Sequence, residues 1–130
     1  MSTTSQPAVG TIGWFDLTVH NADQVRDFYA GVVGWKWSPL DMNGYSDYCM
    51  NLPGSGETVA GICHKLNVNA SLPSQWLMYI TVANLEQSMS RVEELGGKII
   101  TSIRGNAAQG RFVVVQDPAG AVAALFEPGK

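Results

Sequence analysis

Hydrophobic and polar positions along this chain alternate in two recognisable ways. Thr11 to Val19, TIGWFDLTV, changes character at every second residue, which predicts a strand. Phe15, Leu17 and Val19 point one way and are predicted to pack on a helix, while Trp14, Asp16 and Thr18 point the other. After it, Ala22, Val25, Phe28, Tyr29 and Val32 recur at helical spacing. Asn21 stands at the start of that helix with Gln24 three residues on, as in a capping box, and Gly34 at its end. Gly31 inside it costs about 1 kcal/mol relative to alanine. Three more strands are predicted, Trp35 to Pro39, Tyr45 to Leu52 and Thr58 to Leu66, with turns between them. Gly61 in the last strand marks a bulge or a close approach to the backbone.

The same order then returns. Val82 to Lys98, VANLEQSMSRVEELGGK, lies over Val19 to Trp35, VHNADQVRDFYAGVVGW, with Val19 on Val82, Asn21 on Asn84, Gln24 on Gln87 and Gly34 on Gly97. Gln75 to Val82 is a strand with Leu77, Tyr79 and Thr81 on one face. Asn84 caps a helix whose stripe is Leu85, Met89, Val92 and Leu95. Strands over Lys98 to Ile103, Arg111 to Gln116 and Ala121 to Glu127 follow, with a polar loop at 105–110. The pattern predicts an α+β fold of two tandem βαβββ modules. Module one is 11–66, a linker covers 67–74, module two is 75–128, and a flexible tail occupies 1–10. A module of this size is marginally stable alone, so the two are expected to form one domain.

Composition narrows the function. Hydrophobic residues make up 45% and charged residues 15%, as in ordinary globular proteins. The formal net charge is −3 and the eight basic residues are scattered, which argues against a nucleic-acid surface. No apolar run approaches the ~18 residues of a membrane span. The first ten residues lack the features of a signal peptide, which points to a cytoplasmic protein whose Cys49 and Cys63 are reduced thiols.

Three motifs sit in order on the duplicated frame. They are Asp27-Phe28-Tyr29 followed by Gly34-Trp35, then Glu93-Glu94-Leu95-Gly96-Gly97, then Asp117-Pro118 with Gly120. Together they resemble the vicinal oxygen chelate superfamily, which includes glyoxalase I, bleomycin resistance proteins and extradiol dioxygenases. Trp14-x-Asp16-Leu17 and the segment from Gly110-Arg111 to Gly120-Ala121 look like its metal-poor branch related to lactoylglutathione lyase. The resemblance implies that the two sheets curl into an incomplete barrel around a cavity. In metal-dependent members, four strands each supply a ligand to a divalent ion there. Those positions fall on Trp14, Leu77, Ala124 and the vicinity of Gly61. Indole, isobutyl, methyl and hydrogen bind no cation, so neither a metal nor another cofactor is expected. His20 falls at a strand–helix junction, and His64 would be a lone ligand.

The predicted lining of the cavity is Trp14, Asp16, Thr18, Tyr79, Thr81, Phe112, Val114, Val122, Ala124 and Phe126, joined by Tyr48 and Met50. Such an apolar and aromatic set suits a small-molecule pocket, and a simply filled core is the competing reading. Gly61 and Ala124 are expected to leave room for a ligand. Asp16 is the sharpest residue. Beside Trp14 and without a basic neighbour in sequence, it is expected to be desolvated with a raised pKa. It would then serve as a general base or bind a cationic or hydroxylated group. The competing reading is a structural aspartate bonded to backbone. Arg111 is expected either to be solvated or to meet an anionic group of a ligand. The functional expectation is a metal-free protein that binds a small apolar or aromatic molecule, as a homodimer. A metal-independent lyase or isomerase using Asp16, Tyr48 or Tyr79 is the alternative, and a metal-dependent glyoxalase or dioxygenase a third reading.

Overall fold

The computed structural model describes residues 6–129. They divide into two compact units, one running Trp14–Trp76 and the other combining the described residues up to Gly13 with those from Leu77 onward.

The first unit follows the order β1 (Ile12–Val19), α1 (Ala22–Val33), β2 (Lys36–Asp41), β3 (Ser46–Asn51) and β4 (Thr58–His64). Its strands lie in the order β2-β3-β4-β1. The first and last strands run parallel, with Asp16 beside Gly61 and Val19 beside His64, and the others are antiparallel. Leu17, Val19, Tyr48, Met50, Ala60 and Ile62 form the face that packs on Ala22, Val25 and Tyr29 of α1. Met50 and Ile62 are fully buried. An aromatic cluster closes one end of this core: Trp76 Nε1 donates to the Tyr29 hydroxyl at 3.0 Å, and Trp35 lies against both rings. All four tryptophans belong to this unit.

The second unit follows β5 (Trp76–Thr81), α2 (Leu85–Glu94), β6 (Lys98–Ile99), β7 (Arg104–Asn106), β8 (Gly110–Gln116) and β9 (Val122–Pro128). β5 runs parallel to β9, with Tyr79 beside Ala124, and β8 is antiparallel to β9. Both β6 and β7 pair with β8. The topology of the first unit therefore recurs with one strand added. Leu85, Val113 and Val115 are the buried centre, with Met89, Val92, Ile99 and Leu125 packed around them.

Several expectations change. The single strand predicted over Lys98 to Ile103 is a two-residue strand followed by an irregular stretch. There the Thr101 hydroxyl accepts from Val114 N–H at 3.1 Å, in place of a regular ladder. The polar loop predicted at 105–110 begins with a strand instead. Gly105 makes that pairing possible, because a Cβ there would strike the Gly110 carbonyl. Phe15 does not pack on α1, being 41% exposed, and Phe28 and Val32 on α1 are likewise exposed. Asn21 caps nothing with its side chain, which donates to Gln24 Oε1 instead. Asn84 does cap, accepting from Gln87 N–H at 2.9 Å. The predicted linker holds one 3₁₀ turn, Asn67–Asn69. Part of the predicted tail, residues 1–5, lies outside the described residues. Beyond it, Gln6 donates to the Gly129 carbonyl and Gly10 N–H to that of Thr81.

Candidate functional site

Side chains alternate across a strand, so a face not packed on a helix is fixed by the one that is. In the first unit that other face carries Trp14, Asp16 and Thr18 from β1, Cys49 from β3, and Gly61 and Cys63 from β4. Its centre is a single contact: Trp14 Nε1 donates to Asp16 Oδ1 at 2.6 Å. Both residues are half-buried. The register sets Asp16 beside Gly61, and the carboxylate leans over that glycine. A Cβ built at Gly61 would overlap Asp16 Oδ1 and stand 3.6 Å from Trp14 Cζ2. The room expected over Gly61 is therefore filled by the chain's own carboxylate. Burial pushes the Cys63 thiol far above its ordinary pKa, and the nearby Asp16 and Asp47 carboxylates add to this. The direction of that shift favours the thiol form of Cys63.

Tyr48 belongs to the opposite face, and so does Met50. The expectation that they join the lining is corrected by register: Tyr48 lies beside Ile62 and shares its side of the sheet. The Tyr48 hydroxyl donates to Asp23 Oδ1 of α1 at 2.5 Å. That bond raises the pKa of Tyr48 and lowers that of Asp23. His64 joins the same group, with Nε2 3.2 Å from Asp23 Oδ1 and Nδ1 3.4 Å from Asp47 Oδ1, while its backbone N–H donates to Asp47. Arg26 lies over the rings of Trp37 and Tyr48. Nothing in the sequence marks these residues as a group, because they meet only once α1 docks. His20 is exposed.

In the second unit the face away from α2 carries Tyr79 and Thr81 from β5, Phe112 and Val114 from β8, and Ala124 and Phe126 from β9. Val114 and Ala124 are fully buried and Thr81 nearly so. The rings of Tyr79 and Phe112 meet edge to face, 5.5 Å between centroids. Phe126 lies over Gly110, where a Cβ would come within 2.6 Å of its ring. Arg111 is on the helix side. Partly exposed, it spends its fork within the chain, holding Glu86 on α2 at 2.7 and 2.8 Å and Glu127 on β9 at 3.0 Å. Glu127 in turn accepts from Leu85 N–H at 2.9 Å, and that bond, with help from Arg111, lowers its pKa. A groove of about 410 Å³ runs along α2, floored by Val92, Leu95, Val115, Pro118 and Leu125. It lies on the helix side and touches none of the lining residues predicted from sequence.

The two modules correspond strand by strand in this register: Trp14 matches Leu77, Asp16 matches Tyr79, and Gly61 matches Ala124. The four positions to which the resemblance assigns metal ligands are Trp14, Leu77, Gly61 and Ala124, and none of these side chains offers a lone pair to a cation. Among the described residues no group of three or more His, Cys, Asp or Glu side chains is arranged to hold an ion.

The duplicated module, its parallel first and last strands, and the motifs at its turns define a class, and the comparison with known families agrees. The chain belongs to the glyoxalase/bleomycin resistance protein/dioxygenase superfamily, whose model matches residues 11–125. Among curated proteins, it is 28% identical to the anthracycline biosynthesis protein DnrV of Streptomyces peucetius, over 94% of this chain and 48% of that protein. It is 27% identical to the putative glyoxylase CFP32 of Mycobacterium tuberculosis, over 92% of this chain and 44% of that protein. The chain thus spans about half the length of the curated relatives it matches. Among solved structures, methylmalonyl-CoA epimerase from Mycobacterium tuberculosis superposes with a TM-score of 0.58 at 17% identity, covering 98% of this chain and 94% of that one. A superfamily member from Vibrio splendidus gives the same TM-score at 15% identity, over 88% and 96%. These likenesses establish the shared fold. No helix among the described residues is long and apolar enough to cross a membrane.

Proposed function

We propose that this chain binds a small, flat, apolar or aromatic molecule against the sheet face of the first unit turned away from α1, without a metal ion held by protein ligands. The observation that carries this reading is the Asp16 carboxylate, held by the Trp14 indole above Gly61. Two of the positions where the resemblance places metal ligands, Trp14 and Gly61, here flank a fixed hydrogen-bond acceptor instead. The Trp14 indole supplies surface for a ring system beside that acceptor. The relative named for anthracycline biosynthesis supports a polycyclic aromatic as the first class to try.

The test is a fluorescence and calorimetric titration with 1,4-dihydroxyanthraquinone, with and without a chelator, beside elemental analysis of the purified protein. Saturable binding that the chelator leaves unchanged, and that weakens at least tenfold in Asp16→Asn, is the expected result. One equivalent of a divalent ion whose removal abolishes binding would overturn the proposal. A catalytic version of the reading keeps Asp16, or Tyr79 in the other unit, as the acid/base group. Tyr48 drops out because it faces α1. Exchange of a ligand carbon-bound proton with deuterium from solvent distinguishes turnover from binding alone.

A further inference from the structure

We infer that Trp14, Asp16 and Gly61 are one device: the Trp14 N–H positions the Asp16 carboxylate, Gly61 leaves the space it occupies, and the result selects ligands that present a hydroxyl or ammonium group and rejects anionic ones. The inference concerns the site of the proposed function and rests on that reading only for what the carboxylate meets.

Trp14 and Asp16 are two apart on one strand, so their side chains rise from the same face. A flexible carboxylate at such a place ordinarily samples several rotamers. Here two constraints remove that freedom. The indole N–H, a donor with no acceptor function, grips Oδ1 at 2.6 Å. The glycine across the ladder presents only backbone, so the carboxylate settles over β4 where any other residue would put a Cβ. The nearest atom that such a Cβ would meet is the side-chain oxygen of Asp16 itself. The ring also covers one flank of the group, since Trp14 Cζ2 is 3.6 Å from the position a Gly61 Cβ would take.

Specificity follows from the inventory of hydrogen-bonding groups. In its ionised form the Asp16 carboxylate only accepts, so the ligand atom it meets must donate. A carboxylate or sulfonate at that atom would bring two negative charges together at low dielectric. Trp14 and Gly61 are positioning residues in this scheme, and Asp16 is the group that touches the ligand.

The first readout needs no ligand. The Trp14 indole N–H resonance, identified by its loss in Trp14→Phe, is expected far downfield and slow to exchange. It should move upfield and exchange at least tenfold faster in both Asp16→Asn and Gly61→Ala. A thermal double-mutant cycle guards against simple misfolding: Gly61→Ala should lower the melting temperature in the native background and do so much less in Asp16→Ala, where the overlap is gone. A resonance unchanged in Asp16→Asn, or a Gly61→Ala cost indifferent to residue 16, overturns the device. The second readout compares 1,4-dihydroxyanthraquinone with anthraquinone-2-sulfonate. At least tenfold preference for the hydroxylated ring, reduced in Trp14→Phe and lost in Asp16→Asn, is expected, and equal or better binding of the sulfonate overturns the selectivity. If the resonance and the cycle behave as stated but neither ring binds, the positioning stands and the proposed function fails.

Discussion

Each module ties the first turn of its helix to the end of its last strand, and the two do it with different chemistry. Asp23 on α1 matches Glu86 on α2 in the repeat, and His64 at the end of β4 matches Glu127 in β9. In the first module a base meets an acid directly: His64 Nε2 is 3.2 Å from Asp23 Oδ1, and the Tyr48 hydroxyl adds a second bond to the same oxygen. In the second module both matched residues are acids. They would repel each other, and Arg111 lies between them with its fork divided between the two. Glu127 also does what no side chain does at the start of α1, accepting directly from a first-turn backbone N–H. An acid in the first turn suits the positive end of either helix. The pair teaches that a repeat conserves the place of a tie while leaving its chemistry free.

Four measurements break or sharpen that comparison. The largest effect is expected from the cores. Leu85→Ala and Ile62→Ala each empty a fully buried site and should cost roughly 3 kcal/mol in urea unfolding. A cost under about 1 kcal/mol in one module would mean that its core relaxes into the gap and the modules are not energetically alike. Next comes acid. Glu127 has a folded pKa below its ordinary value of 4.5, so it contributes stability above that pH and loses it as pH falls through the folded value. Glu127→Gln should therefore be less stable than the native chain at pH 7 and decline less on acidification below about pH 4.5. Parallel acid curves for the two proteins would show that the tie does not depend on charge. Third, Asn84→Ala should cost about 1 kcal/mol in thermal unfolding, because a helix loses its cap. The smallest effect is expected at the matched position: Asn21→Ala should stay within a few tenths of a kcal/mol, since that side chain accepts from no backbone N–H. Equal costs for the two asparagines would erase the distinction between the helix starts.

Much of the frame was legible from periodicity alone. The helices begin and end within a residue or two of where the stripes and glycines put them, because a 3.6-residue stripe over three turns has few other readings. The β1 and β5 faces were also legible. β3 was not: alternation separates Tyr48 and Met50 from Cys49, but which set faces the helix depends on register with β4, and no local signal fixes that. The stretch from 98 to 106 misled for another reason. Ile99, Ile100 and Ile103 read as one apolar strand, but the Thr101 side chain takes over a backbone partner and the ladder resumes on polar residues. At the site, the Trp14–Asp16 pair was visible as neighbours on one face. The carboxylate's seat over Gly61 was not, because two strands far apart in sequence make it. The group of Asp23, Tyr48 and His64 was hidden in the same way.

The placement of the tryptophans has a practical side. Three lie between residues 14 and 37 and the fourth, Trp76, opens β5 and packs on Tyr29 and Trp35, so excitation at the red edge of the protein absorption reports on the Trp14–Trp76 unit. A ring system settling near Trp14 would quench emission directly, whereas loosening around Leu85 or Val113 would leave that signal nearly untouched. The chain carries its own address label, and a single optical channel can tell an event at the Asp16 carboxylate from one confined to the tryptophan-free half.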